Sequence, residues 1–233
     1  MSSGLVATLA VVVAAYLCGA VPFGLLIGLA RGVDVRTRGS GNIGATNVGR
    51  VLGRSWGLLA FACDVLKGLL PVWLAGRWLA ARADAGPLAA HDAFVWMAVA
   101  AAAILGHVFP VYLRFRGGKG VATALGAMLG VWPYFTWPGL AAFVLWIAVT
   151  GVTRYVSVGS IVAAGAFPLL FAAAVGLAGG RWGSSENLWP LYLFAVVLAL
   201  LVVYRHRGNV QRLLAGTESK IGPSRPAGAG PTR

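Results

Sequence analysis

The sequence predicts an all-α, polytopic membrane protein with seven transmembrane helices, and its composition is the first reason. Of its 233 residues, 59% are apolar and 11% are charged, whereas soluble globular proteins carry about 25% charged residues. The mean hydropathy is +0.81. The apolar runs are continuous rather than alternating, and runs of about 20 residues suit helices that cross a hydrocarbon core of about 30 Å.

Most of the candidate spans are single apolar runs, at residues 5–30, 55–80, 92–113, 156–179 and 187–204. The first 30 residues contain no Lys or Arg. They therefore lack the charged start of a signal peptide, and we interpret this run as a retained helix. The segment 121–150 contains Pro133 and Pro138 and could form one span or two short ones.

Basic residues decide between these topologies, because Lys and Arg in short loops accumulate on the cytoplasmic side. Two spans within 121–150, with the N-terminus outside, place fifteen basic residues inside and three outside, whereas one span places nine on each side. We therefore predict seven helices and a cytoplasmic C-terminus. Thirty residues rise only about 45 Å as a helix, so helices 4 and 5 should form a short, broken hairpin. Residues 1–221 are predicted as one membrane domain, and 222–233 as a disordered Pro- and Gly-rich tail.

This topology places four polar clusters on the cytoplasmic face, where they are expected to form one site. The clusters are "GSGNIGATNVGR" at 39–50, "FRGGKGVAT" at 115–123, "TRYVSVGS" at 153–160 and "RHRGNVQRL" at 205–213.

The first cluster has the composition of a phosphate-binding loop. Its glycines allow positive φ and successive amides can form an anion-binding nest. Ser40 and Thr46 add neutral donors, and Arg50 adds a planar fork that suits phosphate. The alternative is a flexible loop whose arginines only orient the protein. The G-x-G-x-x-G spacing from Gly39 is not interpreted as a dinucleotide site, because a membrane span rather than a strand precedes it.

The second cluster places Lys119 among glycines at the start of a helix, where amide donors and the helix dipole favour an anion. It lacks the spacing of a P-loop. A tight turn with an orienting lysine is the alternative.

Other polar residues leave more than one interpretation open. Ser157 follows Arg154 but could simply bond its own helix backbone, and His206 and Asn209 form an i, i+3 pair that could be a solvated basic tail. His107 could be a packed or a site residue.

Asp64 and Lys67 lie one helical turn apart within a span, where mutual pairing is expected. Asp34, Asp84, Asp92, Glu186 and Glu218 complete the six carboxylates, and no histidine is followed by an aspartate at the fifth position. The site is therefore rich in cations and poor in bases. The scattered basic residues argue against nucleic-acid binding, and without grouped carboxylates, His or Cys we predict no metal and no cofactor.

The residues also carry a family resemblance. "GSGNIGATNVGR", "GHVFPVYLRFRGGKGVAT", "RYVSVGSI" and "RHRGNVQRLLAGTESKIG" resemble, in order and spacing, the motif regions of the bacterial PlsY-type glycerol-3-phosphate acyltransferases. The resemblance spans residues 5–221.

The resemblance implies an enzyme of the bacterial inner membrane whose active site faces the cytoplasm. Its small-molecule partners would be acyl-phosphate and glycerol 3-phosphate. The acyl group would pass to the 1-hydroxyl, giving lysophosphatidate and phosphate, the first acylation step of phospholipid synthesis. The oligomeric state is left open. On this basis we assign catalysis to Ser40, Arg50, Lys119, Ser157, His206 and Asn209. We assign substrate or phosphate binding to Gly41, Asn42, Thr46, Asn47, Gly117, Gly118, Gly120, Arg154 and Glu218.

The shortage of bases leads to a hypothesis in which no side chain is indispensable as a base, because acyl-phosphate carries a good leaving group. The protein would position the substrates and neutralise charge on the departing phosphate. Gly126, Gly130 and Gly159 are expected either to open a groove for the acyl chain or to pack helices tightly. A transporter of phosphorylated metabolites is the main alternative function, and a scaffold that binds anionic lipid is the third.

Overall fold

The computed structural model describes residues 3–82 and 88–221, and every regular element in this part of the chain is helical. The predicted tail at 222–233 and Asp84 lie outside the described residues. Two short 3-10 turns occur at Val35–Thr37 and Val111–Leu113. The α-helices are α1 (Ser3–Ala20), α2 (Phe23–Ala30), α3 (Ala45–Leu52), α4 (Arg54–Ala80), α5 (Ala90–Val108), α6 (Val121–Gly130), α7 (Thr136–Thr153), α8 (Val156–Ala178), α9 (Ser185–Arg205) and α10 (Arg207–Leu214).

Six helical segments in the described residues are long and apolar enough to cross a membrane. They are Gly4–Ala30, Arg54–Ala80, Ala90–Leu113, Thr136–Thr153, Val156–Ala178 and Glu186–Arg205. The first of them is interrupted between α1 and α2, where Pro22 lacks an amide proton for the helical ladder. The predicted spans other than 121–150 lie within a few residues of these segments.

The ambiguous stretch 121–150 is broken rather than continuous. Helix α6 has ten residues and therefore rises about 15 Å, half the thickness of a hydrocarbon core. Residues 131–135 then form a bend that contains a cis Trp132–Pro133 peptide bond, and α7 follows. The interruption predicted from the length of residues 121–150 is therefore present in the structure.

Short helix α6 is held by very close packing against α4. A Cβ atom on Gly126 would collide with the Val65 carbonyl, and one on Gly68 would collide with the Thr123 carbonyl. Gly130 lies against Leu69 and Trp73, one turn further along both helices, so α6 runs parallel to α4. Gly126 and Gly130 therefore serve helix packing, the second of the two expectations, rather than a groove.

Gly159 serves the same purpose between α8 and α7. A Cβ atom there would meet the Thr150 hydroxyl oxygen and would lie 3.0 Å from the Trp146 carbonyl oxygen. None of the three glycines proposed for an acyl groove opens one.

Aromatic contacts locate the 131–135 bend at the end of the bundle away from the polar clusters. The ring of Tyr134 lies 6.2 Å from that of Trp96 on α5 and 5.5 Å from that of Trp182 in the α8–α9 connection. The α6–α7 hairpin thus reaches the level at which α8 and α9 are joined.

Buried charges join the break in the first span to α4 and α5. Lys67 Nζ lies 2.7 Å from Asp64 Oδ1, which confirms the predicted pairing, and both side chains are 2% exposed. The same ammonium donates to the Val21 carbonyl at 2.7 Å. Lys67 thereby satisfies an acceptor in the interruption before Pro22.

The close α4–α6 contact predicts that two glycine-to-alanine substitutions differ strongly in their effect on thermal stability. Gly126→Ala should lower the melting temperature of the detergent-purified protein by several degrees, because overpacking a close helix contact costs about 1–3 kcal/mol. Gly165→Ala is the matched control, since nothing lies within 4 Å of a Cβ atom at that position of α8. Equal melting temperatures for the two variants would contradict the packing described above.

Candidate active site

The four polar clusters meet around one cavity of about 180 Å³ at the end of the bundle opposite to Tyr134. The sequence-predicted site residues that line it are Ser40, Asn42, Thr46, Asn47, Arg50, Lys119, Gly120, Ser157, His206, Asn209 and Glu218. Gly41, Gly117, Gly118 and Arg154 do not line it. The structure thus brings together residues separated by up to 178 positions in the chain.

Asn47 organises the first cluster from the inside. Its Nδ2 donates to the Val35 and Asn42 carbonyls at 2.9 Å, and its Oδ1 accepts from the Ser40 amide at 2.8 Å. Asn42 Oδ1 accepts from the Gly44 amide at 2.8 Å, which closes the turn into α3. These two side chains shape the loop, and the exposed Ser40, Thr46 and Arg50 side chains are left at the cavity.

The glycines of the second cluster allow its backbone to approach the end of α5. The Gly117 amide donates to the Val108 carbonyl at 3.2 Å, and the Gly118 amide donates to the His107 carbonyl at 3.1 Å. A Cβ atom on Gly118 would collide with His107 Nε2, and one on Gly117 would collide with the His107 carbonyl. Gly117 and Gly118 therefore act through packing, which corrects the expectation that they bind phosphate.

Gly41 lies outside the cavity lining: its backbone adopts φ +68° in an exposed turn, and its amide donates to the Arg38 carbonyl at 3.0 Å. Gly120, at φ +83°, instead lines the cavity and caps the start of α6.

Lys119 is the cation most affected by its surroundings. Its Nζ donates to Asn209 Oδ1 at 2.6 Å. Burial lowers the pKa of Lys119 to about 8, the Glu218 carboxylate offsets part of this effect, and nearby arginines lower the pKa further. The ammonium is therefore mostly charged at pH 7 but titrates close to physiological pH.

The Glu218 carboxylate joins three elements of the site. Oε1 accepts from Ser157 Oγ at 2.8 Å and from Asn209 Nδ2 at 2.6 Å, and Oε2 accepts from Arg212 Nε at 2.8 Å. Burial acts to raise the pKa of Glu218, but these hydrogen bonds outweigh it and the pKa lies below its ordinary value. The contact with Arg212 is also an ion pair.

His206 is a neutral imidazole with one nitrogen available to a ligand. Its Nδ1 lies 2.7 Å from the Val202 carbonyl oxygen. Since a carbonyl only accepts, Nδ1 carries the proton and Nε2 holds a lone pair. Burial, followed by the charge of Lys119, lowers the pKa of His206 to about 4.

Arg154 holds the C-terminal segment rather than the cavity wall. Its guanidinium donates twice to the Ile221 carbonyl, at 2.9 and 3.1 Å, and the Ile221 amide donates back to the Arg154 carbonyl at 2.8 Å. The assignment of Arg154 to phosphate binding is therefore replaced by a role in securing the segment that carries Glu218.

Several residues that line the cavity were not assigned to the site from the sequence. Arg212 and Ser219 border Glu218, and Asp64 and His107 form part of the wall. The rarity of ionisable residues inside membrane spans was the signal that could have identified Asp64 and His107. Within residues 3–82 and 88–221, no three His, Cys, Asp or Glu side chains are grouped as a metal site.

An apolar crevice of about 60 Å³ lies beside the cavity, between α6, α7, α8 and α9. Its lining shares Phe61, Val121, Trp146 and Ser160 with the cavity. Small side chains on the facing helices leave this space, among them Ala124, Ala142, Ala163 and Ala199. A polar cavity therefore adjoins an apolar crevice along a shared wall.

Comparisons with known proteins agree with this arrangement. The family model described as "Glycerol-3-phosphate acyltransferase" matches residues 9–216. A glycerol-3-phosphate acyltransferase of Geobacter sulfurreducens is 46% identical over 207 residues, which cover 89% of this chain and 94% of the relative. Its counterpart from Gloeobacter violaceus is 44% identical, with 90% and 92% of the two chains covered.

Two crystal structures of PlsY (YgiH), an integral membrane glycerol 3-phosphate acyltransferase, are also similar. Its glycerol 3-phosphate form has a TM-score of 0.77 and 37% identity, and the lysophosphatidic acid form has a TM-score of 0.76 and 36% identity. Each comparison covers 93% of this chain and 96% of the other. The chain belongs to the PlsY-type glycerol-3-phosphate acyltransferase family of integral membrane proteins.

Proposed function

We propose that this protein transfers a fatty acyl group from acyl-phosphate to the 1-hydroxyl of sn-glycerol 3-phosphate. The hydroxyl oxygen bonds to the acyl carbonyl carbon, the bond from that carbon to the phosphate oxygen breaks, and lysophosphatidate and inorganic phosphate form. The observation that supports this proposal is a cation-lined cavity that adjoins an apolar crevice along a shared wall. Such a pair of chambers suits a donor with a charged head and an aliphatic tail.

The proposal includes seven crossings of the bacterial inner membrane, with the N-terminus outside and the cavity facing the cytoplasm. The contacts of Tyr134 support it, because they bring the 131–135 bend to the end of the bundle opposite to the cavity. The distribution of basic residues, fifteen inside and three outside, supports the same orientation.

The cations and donors divide between the two substrates in this proposal. Arg50 and Lys119 bind the phosphate groups, and the hydroxyls of Ser40 and Ser157 orient them. The lone pair on His206 Nε2 accepts a hydrogen bond from the 1-hydroxyl of bound glycerol 3-phosphate before the reaction and orients it. Asn209 is fixed between Lys119 and Glu218 and keeps the lysine aimed at the cavity.

The proposed chemistry requires no enzyme base. His206 with a pKa of about 4 is too weak to remove a hydroxyl proton efficiently at neutral pH. Glu218 already accepts three hydrogen bonds. The acceptor's proton therefore passes to a phosphate oxygen of the substrates, and the surrounding cations stabilise the charge on the departing phosphate.

Polar groups are distributed as expected for an enzyme rather than a transporter. A transporter needs polar groups near the midplane and at both faces, whereas this cavity gathers them at one end, apart from the Asp64–Lys67 pair within the α4 span. The crevice that leads away from it is apolar, with Ser160 as its polar exception. This distribution favours chemistry at an interface over passage through the bilayer.

The decisive experiment measures phosphate release by the purified protein from palmitoyl-phosphate, with and without glycerol 3-phosphate. We expect release that depends on the acceptor, and Arg50→Ala should lower it about 100-fold because a charged phosphate contact is lost. Arg77→Ala is the matched control and should retain activity, because Arg77 lies in the last turn of α4, away from the cavity. Uptake of glycerol 3-phosphate into vesicles without turnover would favour a transporter instead.

The pKa of Lys119 predicts a rise in KM for glycerol 3-phosphate at alkaline pH. Only the ammonium form attracts phosphate, so raising the pH from 7 to 9 through the pKa of about 8 should raise KM about tenfold. The substrate phosphate is already dianionic above pH 7 and adds no change of its own. Lys119→Arg keeps its charge throughout this range and should show a flat KM. An equal rise in both proteins would refute this assignment.

His206 should affect substrate binding more than the chemical step. His206→Ala is expected to raise KM for glycerol 3-phosphate roughly 5- to 30-fold, because one hydrogen bond of about 1–2 kcal/mol is lost. Removal of a general base would instead lower kcat about 10²- to 10⁴-fold. The control is His91→Ala, since the His91 side chain is 83% exposed in the first turn of α5. Normal binding of both substrates with loss of the chemical step would disprove the mechanism without a base.

A further inference from the structure

Three ionisable side chains lie buried at the inner wall of the cavity, and the chemistry above does not use them. Asp64 and Lys67 are each 2% exposed and His107 is 4% exposed. His107 Nδ1 lies 3.6 Å from Asp64 Oδ1, which is too long for a hydrogen bond. The three residues come from α4 and α5, so the packing of these helices brings them together.

Asp64 and His107 each have a buried atom without a hydrogen bond of good geometry, and Lys67 is the ion-pair partner of Asp64. Asp64 Oδ1 and His107 Nδ1 are both buried without a hydrogen-bond partner within the described residues. Lys67 instead donates to the Val21 carbonyl and neutralises Asp64 at 2.7 Å. Buried polar groups are normally paired, so an imidazole nitrogen without a partner, beside a carboxylate oxygen that has only the Lys67 ion pair, requires an explanation.

The position of these groups points to a ligand in the cavity. The described residues with such unpaired buried atoms are Asp64, His107, Thr123, Thr150 and Arg205. Of these, only Asp64 and His107 line the cavity. Thr123, Thr150 and Arg205 do not line the cavity, so a ligand bound there would not reach their unpaired atoms.

The charges around the pair define the chemical class of that ligand. A phosphate is disfavoured beside the Asp64 carboxylate because both are negatively charged. A cation is also disfavoured, because Asp64 is already paired with Lys67. A carboxylate that accepts and an imidazole that donates or accepts together fit a neutral hydroxyl group. The pair is therefore suited to an alcohol.

The pair also lies beside the mouth of the apolar crevice. Phe61 precedes Asp64 by three residues on α4, so the two share a helix face, and Phe61 lines both the cavity and the crevice. Arg50 and Lys119 line the same cavity. An acceptor with its phosphate on these cations and its 1-hydroxyl at the crevice mouth has one polar group left, the 2-hydroxyl.

From this geometry we infer that Asp64 and His107 form a subsite that binds the 2-hydroxyl of glycerol 3-phosphate. The inference rests on the proposed function and adds the specificity of the acceptor to it. The 2-hydroxyl donates to the carboxylate of Asp64, and the imidazole of His107 completes its hydrogen bonding. The subsite distinguishes a glycerol phosphate from a simple hydroxyalkyl phosphate and moves no proton.

The test compares glycerol 3-phosphate with 3-hydroxypropyl phosphate, which keeps the phosphate and the reacting hydroxyl but lacks the 2-hydroxyl. Wild-type protein should favour glycerol 3-phosphate at least about tenfold in kcat/KM, because the analogue leaves the subsite unpaired. His107→Phe, which keeps a flat ring against Gly118, should reduce this preference to less than about threefold. Asp64→Asn combined with Lys67→Gln should do the same without leaving a buried charge unpaired.

Two further variants separate binding from a structural role. Thr150→Val removes another unpaired buried hydroxyl that does not line the cavity, and its preference should equal that of the wild type. His107→Asn returns a polar group near the position of Nδ1 and should regain part of the preference lost in His107→Phe.

The possible results are distinct. Wild-type protein that uses both acceptors equally well would overturn the subsite, whether or not the variants fold. Variants that lose activity on both acceptors by the same factor would also overturn it, because the pair would then be structural or bind only water. If wild-type phosphate release did not depend on any acceptor, the proposed function itself would fail, and that result is separate from the other two.

Discussion

The cavity depends on the interactions that the Glu218 carboxylate makes with the surrounding cations and donors. Lys119, Arg212, Arg205 and Arg50 concentrate positive charge at one end of the bundle, and such a group of cations repels itself unless an anion lies among them. The chain supplies that anion from its C-terminal segment. Since Glu218 binds Ser157 of α8 and both Asn209 and Arg212 of α10, it also fixes these elements relative to one another. One carboxylate does not neutralise four cations, and the remaining positive field attracts anionic substrates.

Close backbone contact is the second requirement, because it gives a short helix a defined position. Helix α6 is half as long as a membrane crossing, yet Gly68 and Gly126 let it pack backbone to backbone on α4. The turn before α6 depends on the same effect, since Gly118 lies against the ring of His107. Lys119 is the next residue after Gly118, so the contact of Gly118 with His107 sets the position of Lys119 relative to the cavity. Glycine here replaces side-chain packing with rigid backbone contact.

The polar and apolar chambers share a boundary, and this boundary determines where acyl transfer would take place. Phe61, Val121, Trp146 and Ser160 belong to both linings. A substrate with a charged head and an aliphatic tail would place the bond between them at this boundary. The buried Asp64, one helical turn from Phe61, and His107 lie on the polar side of it. The cation-lined cavity, with Asp64 and His107 in its wall, and the apolar crevice are thus adjacent.

The sequence alone was sufficient for features that depend on local order. Continuous apolar runs identified the crossing segments, the length of 121–150 revealed its interruption, and the i, i+3 spacing of Asp64 and Lys67 predicted their ion pair. The distribution of basic residues predicted that the four polar clusters lie at one end of the bundle. The tertiary structure decided how individual residues act, because those roles depend on atoms from distant segments. Arg154 binds the Ile221 carbonyl, Gly118 packs on His107, and Asp64 meets His107 only where α4 packs against α5. Residue type and spacing describe what a side chain can bind, but only the packing of helices determines which partner lies within its reach.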